Sequence, residues 1–151
     1  MGTTAFAMKK ALIAQAKLRP ALAALEAEDS IWDSAYSGTA RPRQLLWFGE
    51  ILWTRDENVT FGKPVTTREE EYNIRAGIEI NDSDETQEDA NDKAEAIMQD
   101  LEAMVNDYRI FGIGSVVSMG VVPIGLGEGP GGADGGRAAF MALQINVRAR
   151  K

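Results

Sequence analysis

Carboxylates are the only side chains here that cluster closely enough to suggest acid–base chemistry. Glu69, Glu70 and Glu71 are consecutive, and a second acidic run spans Asp82-Ser83-Asp84-Glu85-Thr86. Paired carboxylates are the machinery of glycoside hydrolysis. Adjacent strand residues point to opposite faces, so of the three only Glu69 and Glu71 can share one. Nothing else marks a sugar cleft, and a solvated strand start is the expectation. The second run has the acidity of a calcium loop, which also needs Gly at its sixth position and an acid at its twelfth. Gln87 and Lys93 stand there, which favours a solvated helix start.

Two other features invite a binding reading. Gly125-Leu-Gly127-Glu-Gly129-Pro130-Gly131-Gly132 has the glycine density of a phosphate cradle. Such cradles sit between a strand and a helix N-terminus. A strand pattern follows instead, and Glu128 and Asp134 add negative charge. A flexible hairpin loop over Gly125–Gly136 is expected, long enough to order against a partner. Arg41 and Arg43, on either side of Pro42, read as loop charges.

What is missing narrows the chemistry further. The chain has no cysteine and no histidine. Disulfides, thiolate nucleophiles, Cys/His zinc sites and Ser-His-Asp triads are therefore excluded. A net charge of −7 argues against a protein that grips phosphate backbones, which takes clustered Lys and Arg. No enzyme activity, cofactor or metal is expected. No apolar run approaches the roughly 20 residues of a membrane helix. Lys9 and Lys10 interrupt the first apolar stretch, so no signal peptide is expected either. The expectation is a soluble protein made in the cytoplasm.

The 151 residues suit one domain with a real core. Ala5 to Leu18 is rich in helix formers, and Pro20 ends that helix and starts a short helical turn to about Glu26. Ile31 to Tyr36 reads as a strand with Trp32 and Tyr36 on one face. Gln44 to Trp53 reads as a second, apolar on both faces: Leu46, Phe48 and Leu52 on one, Leu45, Trp47, Ile51 and Trp53 on the other. Thr54 to Thr67, with Gly62 and Pro64, reads as a long loop or projecting hairpin. From Arg68 to Ile80, Tyr72, Ile74, Ala76, Ile78 and Ile80 alternate with polar residues, a half-buried strand.

Asp84 followed by Gln87 resembles a capping box. It opens a helix whose stripe is Ala90, Ala94, Ile97, Met98, Leu101, Met104, Val105 and Tyr108. Ser115 to Ile124 and Ala138 to Arg150 read as two further strands. The predicted fold is α+β: a mostly antiparallel sheet of about five strands with two main helices on one face, in the order α-β-β-β-α-β-β. All three tryptophans fall between residues 32 and 53. The apolar excess around Trp47, Phe48, Ile51, Leu52 and Trp53 fits either subunit contact or core packing.

The Ala-rich helix is followed by Pro20-Ala-Leu, Tyr36-Ser-Gly38 and Gln44-Leu-Leu-Trp-Phe-Gly-Glu50. Arg68-Glu-Glu-Glu-Tyr-Asn-Ile74, the long helix to Tyr108, Gly125 to Pro130 and the alternating last strand come next. In order and pattern these segments resemble tail terminator proteins of long-tailed phages, particularly those infecting actinobacteria. The resemblance implies a homo-hexameric ring on the head-proximal end of the tail tube, partnered by the tube protein and a head-completion or stopper protein. DNA would pass through the lumen without sequence-specific binding, and the protein would belong to the virion, assembled in the host cytoplasm. It implies no catalytic residues.

A ring capper needs two unlike faces and a lateral self-contact. The candidate contact residues are Trp47, Phe48 and Trp53, then Phe61 and Lys63 in the Thr54–Thr67 segment, and Glu128, Pro130 and Asp134 in the glycine-rich segment. Two alternatives stay open: a head-tail stopper of the neck, and a small carboxylate-dependent enzyme or ligand-binding domain with a polar cleft.

Overall fold

The computed structural model describes residues 3–19, 22, 31–32, 44–60, 66–82, 86–130 and 137–150. In chain order they form helix α1 (Ala5–Leu18) and strands β1 (Ile31–Trp32), β2 (Gln44–Thr60) and β3 (Thr66–Asp82). Helix α2 (Gln87–Asn106), a 3-10 turn (Tyr108–Phe111), and strands β4 (Val116–Pro130) and β5 (Arg137–Arg150) follow. One sheet holds all the strands in the order β1-β2-β3-β5-β4. β1 pairs parallel to β2, and every other neighbour is antiparallel. This is the α+β arrangement that the apolar periodicities predict.

The alternation in β3 decides which face is buried. Tyr72, Ile74, Ala76, Ile78 and Ile80 are at most 1% exposed, and β5 sets Val147, Ile145, Leu143, Met141 and Ala139 opposite them in the same order. Onto this face α2 lays Ala90, Ala94, Ile97, Leu101, Met104 and Val105, and α1 lays Ala5, Met8, Leu12 and Ala16. Burying a large side chain of this kind contributes roughly 1.5–3 kcal/mol, so the row fixes the sheet's orientation under the helices. Leu22 joins the same core. The predicted helical turn around it and the rest of the Ile31–Tyr36 strand lie outside the described residues.

Four expectations need correction. In β2, the pairs Phe48↔Ala76 and Ile51↔Ile74 are separated by one extra residue on the β2 side. That bulge reverses the alternation. Leu46, Phe48, Ile51 and Trp53 therefore share the helix-covered face, while Leu45, Trp47 and Leu52 share the open one. Second, of the two readings of Thr54 to Thr67 the hairpin holds and the loop does not: Thr54 to Thr60 continues β2 and lies against β3, which begins at Thr66.

Third, β4 runs on to Pro130 through the glycines read as a loop. Gly125, Gly127 and Gly129 stand opposite Ala142, Phe140 and Ala138 of β5, whose pairing outweighs the weak strand preference of glycine. Fourth, the α2 cap is Thr86, whose hydroxyl accepts a hydrogen bond from Asp89 N at 3.2 Å. Asp84 lies outside the described residues.

The two hairpins point in opposite directions. The β2–β3 connection follows the Thr60↔Thr66 pair, beyond the end where Glu69 meets Arg150. The β4–β5 connection follows Pro130↔Arg137, at the end where Asp82 meets Arg137.

Candidate functional site

The consecutive glutamates are split by the strand pleat, as expected, but two of them are not solvated: Glu69 is 4% and Glu70 3% exposed. Glu69 and Glu71 lie on the open face, across from arginines of both neighbouring strands. Arg150 holds Glu69 at 2.6 Å, with Arg55 at 3.3 Å and Arg148 at 3.7 Å. Glu71 has Arg148 at 3.6 Å and Arg55 at 4.0 Å. The Arg150 hydrogen bond pulls the Glu69 carboxyl below the usual range, desolvation opposes it, and the charges of Arg150, Arg55 and Arg148 reinforce it. A carboxylate held ionised among guanidiniums is poorly matched to general acid work near neutral pH. The cluster ties β2, β3 and β5 together at one end of the sheet.

Glu70 points the other way, under the N-terminus of α1. It accepts from the Thr3 hydroxyl, from Thr4 N at 2.9 Å and the Thr4 hydroxyl at 2.8 Å, and from Trp53 Nε1 at 3.2 Å. The Thr4 hydroxyl also meets the Tyr72 phenol at 2.9 Å. Burial pushes the Glu70 carboxyl up, but the hydrogen bonds outweigh it and leave the group below its ordinary value. Burial likewise raises Tyr72 to about 12, with the Thr4 hydrogen bond opposing and the Glu70 charge reinforcing. These polar atoms are engaged with one another, and together they fasten α1 to the sheet.

The open face carries a depression of about 440 Å³ whose lining includes Glu71, Asn73, Gln144, Asn146, Arg148 and Ser118. Tyr72, Met119 and Val147 also line it, so apolar surface stands beside the amides and the already-paired charges of Glu71 and Arg148. Among the described residues, no group of three or more Asp or Glu is placed to hold a metal ion.

The exposed apolar surface lies elsewhere. Val117, Val122, Ile124 and Leu126 on edge strand β4 are each more than two-fifths exposed, as are Phe6 and Trp53. The Phe6 and Trp53 rings meet edge to face at 6.1 Å and 64°.

The contact residues read from sequence separate accordingly. Phe48 is fully buried in the core, so its ring serves the chain itself. Trp47 is half-buried on the open face, lying over Gly77, and Trp53 is exposed. Glu128 is exposed and accepts from Asn91 Nδ2 at 2.8 Å. Pro130 ends β4, and Phe61, Lys63 and Asp134 lie outside the described residues. The exposed row on β4 escapes a sequence reading that makes Ser115 to Ile124 a strand without assigning its faces and places Leu126 in a loop. Its signal is the run of residues from Val116 to Leu126 without a charge.

No protein-family model and no curated protein matches the chain. A solved structure does. The chain is similar to one in "Virion of native gene transfer agent (GTA) particle", with a TM-score of 0.54 and 13% identity, over 99% of this chain and 100% of that one. What the two share is the fold.

Proposed function

We propose that this chain is a structural protein of a phage-like virion, a tail terminator. In this reading it forms a hexameric ring that caps the head-proximal end of the tail tube and stops its growth. The ring presents its other side to a head-completion protein, and DNA passes through the lumen. The observation that carries the reading is the whole-length likeness to a virion chain. The architecture supports it, since the two hairpins lie at opposite ends of one sheet and suit two unlike axial neighbours. On the open face Glu69 and Glu71 pair with Arg55, Arg148 and Arg150, so these guanidiniums are already engaged by carboxylates and are not presented as the clustered free charge that grips phosphates.

The test is to add purified protein to its cognate tube protein during polymerisation. A terminator shortens the tubes and appears by negative stain at one end only. Tubes that grow unchanged while the protein binds the neck would assign it to the stopper station. Tubes that grow unchanged with no binding to tube or neck defeat the virion reading.

A further inference from the structure

The two edges of the sheet differ in kind. At one edge β4 exposes Val117, Val122, Ile124 and Leu126. Its bulges after Val116 and Pro123 and Pro123 itself are modest protection for so long an apolar edge. At the other edge β1 covers only Leu46 and Trp47 of β2, and among the described residues no strand lies beyond Gly49–Thr60. Leu52 and Trp53 are exposed along that stretch.

The helices above those edges carry opposite charge. α1 and the residue after it hold Lys9, Lys10, Lys17 and Arg19 with no carboxylate. α2 holds Glu88, Asp89, Asp92, Glu95, Asp100 and Glu102 against Lys93. α1 packs over β1 and β2, and α2 over β3, β5 and β4. Inside the chain Arg19 meets Asp100 at 2.8 Å, which turns the Asp100 side of α2 toward α1. The opposite side faces β4, because Asn91 reaches Glu128. Exposed Glu88, Glu95 and Glu102 fall on that outer side in steps of seven. On α1 the exposed stripe is Phe6, Lys10 and Lys17, begun by the ring that leans on Trp53 of β2. A seven-residue step along a helix is about 10.5 Å in both cases.

We infer that copies of this chain join head to tail, the β4 edge of one beside the β2 edge of the next, with the outer glutamates of α2 facing Lys10 and Lys17 of the neighbouring α1. Joining like edges would bring like charges together, whereas joining unlike edges pairs acid with base. β2 and β4 run in opposite directions within the sheet, so copies standing side by side in the same orientation present antiparallel edges to each other. Such a contact is heterologous, and it closes into a ring when the rotation between copies allows. The inference rests on the ring proposed above and names the surfaces that close it.

The chain has no cysteine, which makes cross-linking clean. Val122→Cys and Leu52→Cys are made separately and treated with a short bismaleimide, each alone and in an equal mixture. The mixture is expected to cross-link about tenfold more than either variant alone, and Lys10→Glu with Lys17→Glu on the Leu52→Cys chain to lower that yield about fivefold, in keeping with a few exposed ion pairs. Glu95→Lys with Glu102→Lys on the Val122→Cys chain should then restore it. Equal yields alone and mixed, no cross-link in any tube, or no rescue by the second charge reversal would each overturn the inference. Heterotypic cross-links from a protein that does not cap tubes would support these edges and count against the terminator reading alone.

Discussion

Trp47 lies flat across its cross-strand neighbour: a Cβ added to Gly77 would stand 2.2 Å from Trp47 Cε2. The same indole approaches Gly49, where an added Cβ would come within 2.8 Å of Cζ3. Glycine normally weakens a strand interior; here its missing side chain is the seat of the indole. Gly77→Ala is expected to lower stability by about 1–3 kcal/mol through overpacking, measured by denaturant unfolding with tryptophan fluorescence. Adding Trp47→Ala should recover part of that loss, as coupling between touching residues requires. Strictly additive losses would show that the indole does not rest on Gly77.

Glu70 is the fastener of α1. Replacing it with Gln keeps the size but removes the charge that four donors address. A hydrogen bond to a charged group contributes about 1.5–3 kcal/mol, so Glu70→Gln should cost on the order of one such bond. Amide exchange is the sharper readout: protection should fall in α1 while β3 and β5 stay protected. Loss spread evenly over the sheet would contradict a local role.

The same group predicts an acid limb. Both Glu69 and Glu70 titrate below the ordinary 4.5 in the folded chain. A depressed carboxyl stabilises the fold above its unfolded value, and that stabilisation is lost as pH falls through the folded value. Melting temperature should therefore drop as pH goes below 4.5, and Glu70→Gln should flatten that drop. Added salt should weaken the contribution of Glu69, whose arginine partners are exposed, more than that of Glu70. Tyr72 sets an alkaline limb of opposite sign: raised to about 12, it stabilises below the ordinary tyrosine value of 10.0 and loses this as pH rises through about 12.

How much was legible in the sequence depended on how far each signal was local. The stripe from Ala90 to Val105 and the alternation from Tyr72 to Ile80 each repeat a single period, and helix and strand follow from them directly. The bulge between Phe48 and Ile51 has no such mark, because residues on both sides of it are apolar and either parity fits. β4 beyond Gly125 is held by its partner β5, a long-range pairing that glycine content argues against. The burial of Glu69 and Glu70 depends on Arg150 and Thr3, residues more than sixty positions away. The pleat predicted which glutamates share a face, but not what would meet them there.

The β2 bulge yields a prediction with an unusual direction. Gly49 and Glu50 together stand opposite Arg75, between the pairs Phe48↔Ala76 and Ile51↔Ile74. Deleting Glu50 leaves one residue opposite one, so both flanking pairs keep their partners and Ile51 and Trp53 stay on the helix-covered face. The deletion also removes the ion pair between Arg75 Nε and Glu50 at 3.7 Å, which is exposed and worth at most about 1 kcal/mol. Deleting Leu46 instead shifts a regular stretch by one and turns apolar residues out of the core on one side of the cut. The Glu50 deletion should therefore stay soluble, with a circular dichroism spectrum like the parent's and a modest fall in melting temperature from lost strand twist. The Leu46 deletion should not fold. If the two deletions behave alike, the reversal of faces along β2 is wrong, and the placement of Trp53 beside Glu70 and Phe6 goes with it.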